Sequence, residues 1–105
     1  MTYAVDFDGT MCENVWPSIG NAKWNVLQYC RELRRDGHKL ILNTCRENEL
    51  LSAAVWWCLA RGLAFDAVNE NLPEHIATYG SDCRKIFADY YIDDKNLFLE
   101  GVNNV

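Results

Sequence analysis

The residues that could do chemistry in this chain gather behind short apolar runs. Asp6-Phe7-Asp8-Gly9-Thr10 follows Tyr3-Ala4-Val5, and Asp93-Asp94 follows Tyr90-Tyr91-Ile92 just before the loop Lys95-Asn96. Side-chain direction along a strand repeats every second residue, so Asp6 and Asp8 leave the end of one strand on the same side of the pleat. Carboxylates that close call for a divalent cation between them, or for a division of labour in which one acid attacks while the other carries protons. Thr44 ends a third apolar run, 38–43, beside the start of a helix whose free amides and dipole would favour a phosphate. Lys85, immediately before the last run, is a cation that could reach the same place.

The elements that must position these groups follow from periodicity and punctuation. Residues 3–7 read as a buried strand, and residues 9–21, with Gly9, Asn14, Pro17, Ser18, Gly20 and Asn21, as an irregular loop. Val26, Leu27, Cys30 and Leu33 recur at helical spacing over 22–36, with Asn21 as N-cap and Gly37 as the stop. Residues 38–43 form a second strand, and 47–61 a second helix, acidic in its first turn and closed by Gly62. Residues 63–68 give a weaker strand, Pro73 opens a short helix ending near Gly80, and 86–92 are extended into the acidic pair. Alternating strands and helices predict one α/β domain over 1–105: a Rossmann-like three-layer sandwich with a central parallel sheet and right-handed crossovers. In such sheets ligands bind beyond the carboxyl ends of the strands, where strand order reverses. With the first strand central, flanked by the second and the last, Asp6, Asp8, Asp93 and Asp94 meet at that reversal.

Composition narrows the function classes. With 105 residues there is one core, and half of the residues are hydrophobic, enough to fill it. A formal net charge of −5 without a basic run argues against a nucleic-acid or anionic-membrane surface. No apolar stretch approaches the roughly 20 residues of a membrane span, and the start of the chain lacks a basic leader, so a cytoplasmic protein is expected. Cys12, Cys30, Cys45, Cys58 and Cys83 are odd in number and irregularly spaced, which suits reduced thiols better than disulfides or zinc. None has an arginine six positions downstream, and no Walker-type or Gly-x-Gly-x-x-Gly loop occurs.

On Asp6-Phe7-Asp8-Gly9-Thr10, Leu42-Asn43-Thr44, Lys85 and Ile92-Asp93-Asp94, in that order, the chain resembles the haloacid dehalogenase (HAD-like) superfamily of aspartate-dependent phosphohydrolases. The first motif is the specific one; the second and third gain weight from their order. The resemblance implies a phosphatase in which Asp6 is the nucleophile, forming an aspartyl phosphate, and Asp8 is the acid and base. It implies Mg2+ held by the Asp6 carboxylate, the Asp8 backbone carbonyl and Asp93, with Asp94 beside them. Thr44 and Lys85 would hold the phosphoryl oxygens, with Lys95 the alternative lysine, and Gly9 and Cys45 would complete the substrate site. Arg46 reads equally as a phosphate or leaving-group contact and as a solvated residue near a helix start. Neither the interval after the first motif nor residues 45–84 has room for a cap domain, which favours a large substrate or a homo-oligomer. The partner expected is a phosphorylated small molecule or polymer.

Other residues read as structural. Asn69, Glu70 and Asn71 follow the third strand as a plain turn or as part of the site rim, and His38 and His75 lack matching partners. Of Trp16, Trp24, Trp56 and Trp57, the adjacent pair cannot both face inward, and Trp16 lies beside the predicted site. Two other readings compete: a receiver-like signalling domain, whose acceptor acid would have to be Asp66 or Glu70, and a catalytically idle relative that binds metal or a partner.

Overall fold

In the computed structural model, residues 1–95 are described, so Asn96 of the last predicted loop lies outside the described residues. The main sheet has four parallel strands, which lie side by side in the order Ala67–Val68, Lys39–Leu42, Thr2–Val5, Tyr90–Ile92. These are β1 (Thr2–Val5), β4 (Lys39–Leu42), β5 (Ala67–Val68) and β6 (Tyr90–Ile92), with β2 (Cys12–Val15) and β3 (Ser18–Ala22) forming a separate antiparallel hairpin. The helices are α1 (Trp24–Arg35), α2 (Asn48–Ala60) and α3 (Pro73–Tyr79).

The inner strands are apolar on both faces, as a covered parallel sheet requires. Val5, Leu40 and Leu42 join Leu27, Cys30 and Leu33 of α1 and Ala54 and Cys58 of α2 in one cluster. Ala4 and Ile41, pointing the other way, pack with Ala67, Leu72 and Ile86, which cover the opposite face together with the chain around α3. The result is the α/β sandwich expected: two helices on one face, and the return path to β6 across the other. Since β1 pairs with β4 on one side and β6 on the other, strand order reverses at the carboxyl ends of β1 and β6.

Both long helices end as their glycines foretold. Gly37 donates to the carbonyl of Arg34 and His38 to that of Leu33, while Gly62 donates to Leu59 and Leu63 to Cys58. These are Schellman closures, with the glycine in the left-handed region at φ 89° and 80°.

The loop expected over 9–21 is instead largely the β2–β3 hairpin, its turn carrying Trp16 and Pro17. Its strands are exposed along most of their length, so no alternation of apolar residues announced them. Because the hairpin consumes Ala22, α1 starts two residues later than predicted, capped by Lys23 without a side-chain bond rather than by Asn21. Only the ends of the stretches 63–68 and 86–92 pair as strands. On α2, Trp57 meets Phe7 edge-on at 5.4 Å and Trp56 is 71% exposed, the split that helical geometry demanded of adjacent tryptophans. Among the described residues no helix is long and apolar enough to cross a membrane.

All five thiols are free; Cys12, Cys30 and Cys58 are buried, and Cys45 and Cys83 are exposed. Burial pushes the thiol of Cys30 up to about 11 and that of Cys58 up to about 12, so both stay protonated and unreactive at neutral pH. Alkylation of the native protein, read by mass spectrometry, should therefore modify Cys45 and Cys83 alone, with the other three reacting only after unfolding.

Candidate active site

The carboxyl ends of β1, β4 and β6 open into a cavity of about 390 Å³ lined by Asp6, Asp8, Asn14, Trp16, Asn43, Thr44, Cys45, Asp93, Asp94 and Lys95. The four acids predicted to meet do so, and Thr44 and Cys45 complete the wall.

Each acid is held differently. Asp6, half-buried, has its backbone amide bonded to the carbonyl of Ile92 at 2.9 Å, and Thr10 donates its hydroxyl to Asp6 Oδ2 at 3.3 Å. Burial, with smaller contributions from Asp94 and Asp93, raises its pKa despite hydrogen bonds from the Phe7 amide and Thr10. Asp93 accepts the Lys95 amide at 2.8 Å, which shapes the turn after β6. Asp94 presses its carboxylate against Gly9, where an added Cβ would come within 2.2 Å of Oδ2. Lys95 Nζ lies 3.9 Å from Asp94, with its side chain 83% exposed.

Asp8 is bound by Arg46, which donates Nε–H to Oδ2 at 2.8 Å and Nη2–H to Oδ1 at 2.7 Å. Arg46 is wholly buried, which corrects its reading as a solvated residue near a helix start: its guanidinium is turned inward to Asp8. The hydrogen bonds it donates to Asp8, outweighing burial, raise the guanidinium's pKa and keep it charged.

Thr44 is braced rather than free. Its backbone amide donates to Asn69 Oδ1 at 2.8 Å, and its hydroxyl oxygen accepts the Arg46 amide at 3.2 Å, leaving the hydroxyl proton for a ligand. Asn69 thus supports the site from the end of β5, adopting φ 54° to do so. No residue of α2 lines the cavity, so the helix-terminus contribution expected beside Thr44 is not part of its wall. Asp66 sits just before β5, where it binds Arg34 at 2.9 Å and the Leu40 amide at 2.8 Å, away from the cavity.

Lys85 is placed elsewhere. It lines a second cavity, of about 460 Å³, with Asn71, His75, Tyr79, Ser81, Cys83, Phe87, Ala88 and Tyr91. The reason is Asn71, buried, whose side-chain amide donates to the carbonyls of Cys83 at 3.0 Å and Lys85 at 3.4 Å and accepts the Phe87 amide at 2.6 Å. That ties the strand of chain carrying Lys85 beside α3. The lysine at the acid cavity is Lys95, and a second one, Lys23, at the cap before α1, donates its Nζ to the Gly9 carbonyl at 2.8 Å beside Asp93 and Asp94. Nothing in its sequence context marked Lys23. Asn14 and Trp16 enter through the hairpin, which was not foreseen.

Among the described residues no three carboxylate, imidazole or thiol side chains converge as a full protein cage for a metal would require. Magnesium does not need one, since it keeps several waters and takes one or two carboxylates. The hard oxygen donors of Asp6, Asp93 and the Asp8 carbonyl are of the kind that magnesium takes.

Gly9→Ala should destabilise the fold by about 1–2 kcal/mol for the positive φ alone, and more for the collision with Asp94. Thermal melting should fall by several degrees, and Asp94→Ala in the same chain should recover part of that loss.

No family model and no curated protein matches the chain. Among solved structures it is similar to a conserved protein coded by a locus from Bacteroides thetaiotaomicron, with 44% sequence identity over 92% of this chain and 78% of that one, and a TM-score of 0.83. Identity at that level over nearly the whole length of one chain and most of the other is shared ancestry, and this chain belongs to the same family as that conserved protein.

Proposed function

We propose that the chain is a magnesium-dependent phosphomonoesterase of the haloacid dehalogenase type, working through an aspartyl phosphate. The observation that carries this reading is the gathering of Asp6, Asp8, Thr44, Asp93 and Asp94 around one cavity at the reversal of strand order.

Asp6 attacks phosphorus through a carboxylate oxygen; the new O–P bond forms as the ester P–O bond breaks. Asp8 gives a proton to the departing alkoxide, then takes one from the water that cleaves the aspartyl phosphate to inorganic phosphate and free Asp6. Thr44 donates its hydroxyl to a phosphoryl oxygen, and Lys95, at the mouth, offsets part of the phosphate's charge. The Asp6 carboxylate, the Asp8 carbonyl and Asp93 would hold Mg2+, which would supply charge neutralisation between the nucleophile and the phosphate. Asp94, at the rim against Gly9, adds to the field that attracts the cation. Among the described residues the interval after the first motif holds just the hairpin, and 45–84 are used by α2, β5 and α3, which leaves the cavity open to large substrates, polymers included. Neither acid that a receiver-like reading would need as acceptor lines the cavity: Asp66 is bound to Arg34 and the Leu40 amide, and Glu70, after β5, is not part of the wall.

Phosphate release from a panel of phosphomonoesters, with Mg2+ and with EDTA, tests the reading. Release should require metal and should fall on the order of 10³-fold or more in Asp6→Asn; metal-independent release, or a fully active variant, would remove the mechanism. Lys95→Ala should weaken inorganic phosphate binding more than Lys85→Ala, and the reverse result would return the role to Lys85. Metal binding has its own readout in melting temperature: Mg2+ at about a hundred times its Kd should add about 2.7 kcal/mol of stability, an effect that Asp93→Asn should diminish.

A further inference from the structure

Arg46 is as buried as any residue in the protein, and it links three separate segments. Its guanidinium holds both oxygens of Asp8 in the loop after β1, and donates Nη1–H to the Pro17 carbonyl at 3.2 Å and Nη2–H to the Ser18 carbonyl at 2.9 Å, at the turn of the β2–β3 hairpin. Its Cζ lies over two rings, Phe7 in the loop after β1 and Trp16 at the hairpin turn, each centred 5.1 Å away. Four of its five N–H groups are therefore spent on Asp8 and the hairpin.

A guanidinium taken wholly out of water is tolerated only while these partners stay in place. The carbonyls of Pro17 and Ser18 are neutral and the carboxylate of Asp8 carries the opposing charge, so the hairpin turn and Asp8 hold the same cation jointly. The hairpin also forms one wall of the acid cavity through Asn14 and Trp16.

We infer that Arg46 is a latch coupling the seat of the hairpin to the orientation of Asp8. With the hairpin seated, both Asp8 oxygens face the guanidinium; freeing one of them toward a leaving group moves the guanidinium, and with it the carbonyls of Pro17 and Ser18. Entry of substrate past Trp16 and exposure of a proton-carrying oxygen on Asp8 then become one event. Arg46 acts on turnover as a positioning residue and need not touch the substrate. The catalytic part of the inference rests on Asp8 being the acid and base as proposed above; the mechanical part does not.

Hydrogen exchange of the segment 12–22, followed by mass spectrometry, tests the mechanical part without substrate. Asp8→Asn and Arg46→Lys should each speed exchange there by about tenfold or more, leaving the segments of α1 and β4 unchanged. The double variant should be little faster than either single one, because both break the same link. Lysine keeps the charge and loses the fork, so retention of native exchange in Arg46→Lys would overturn the latch, as would unchanged exchange in Asp8→Asn or simple additivity of the two. If Arg46→Lys does not fold, Trp16→Leu removes only the ring stacked on the guanidinium and should loosen the same segment; unchanged exchange there overturns the proposal equally.

The catalytic part is read from the split between kcat and KM. In Arg46→Lys, kcat should fall by ten- to a hundredfold with KM nearly unchanged, whereas a rise in KM at constant kcat would make Arg46 a substrate contact and overturn its positioning role. Were the native protein inactive on every ester, coupled exchange in Asp8→Asn would still establish the latch, and the phosphatase reading alone would fail.

Discussion

The parallel pairing of β1 between β4 and β6 is the constraint on which the rest depends. Val5 lies beside both Leu42 and Ile92 in register, so the residues that follow these strands emerge together at one edge of the sheet. A slip of one residue would turn every side chain of β1 to the opposite face, exchanging Ala4 with Val5 between two unlike cores and carrying Asp6 and Asp8 with them. Register is secured far from the acids, by Val5, Leu40 and Leu42 against α1 and α2, and by Ala4 and Ile41 against Leu72 and Ile86. Apolar burial in the two cores is therefore what holds four like charges around one small volume.

Those charges are not equivalent. Asp8 is neutralised from within by a buried guanidinium, whereas the cations near Asp6, Asp93 and Asp94 are lysines held more loosely: the solvated Lys95, 3.9 Å from Asp94, and Lys23, whose Nζ is given to the Gly9 carbonyl. The fold thus sorts its acids into one that is satisfied by protein and three that are under-compensated. In the proposed phosphatase the under-compensated group would meet the cation, and the proton-carrying group would first have to be released from its guanidinium.

Much of this was legible in the sequence because it rests on local rules. Strand-end carboxylates declare themselves by spacing, Gly37 and Gly62 stop helices by backbone conformation, and unbroken apolar runs announce a covered parallel sheet. The hairpin was not legible, since Cys12–Val15 and Ser18–Ala22 carry no periodic apolar signal and their Pro, Gly and Asn residues read as loop. The place of Lys85 was hidden for another reason: it is set by Asn71, a residue 14 positions away whose side chain bonds backbone groups at 83, 85 and 87. Arg46 was ambiguous because sequence spacing shows that it lies near Thr44 but not which way so long a side chain folds, and its partners at Asp8, Pro17 and Ser18 are separated from it by 28 to 38 positions.

The contact between Gly9 and the Asp94 carboxylate has a consequence for how this chain can change over time. Residues 85 positions apart share a space too small for one more carbon atom, so each restricts the alphabet available to the other. A bulkier residue at 9 becomes accessible only after 94 has been shortened, and that order of events removes an acid from the cavity before anything is gained. Change at the first loop is thereby conditional on a residue 85 positions further along the chain.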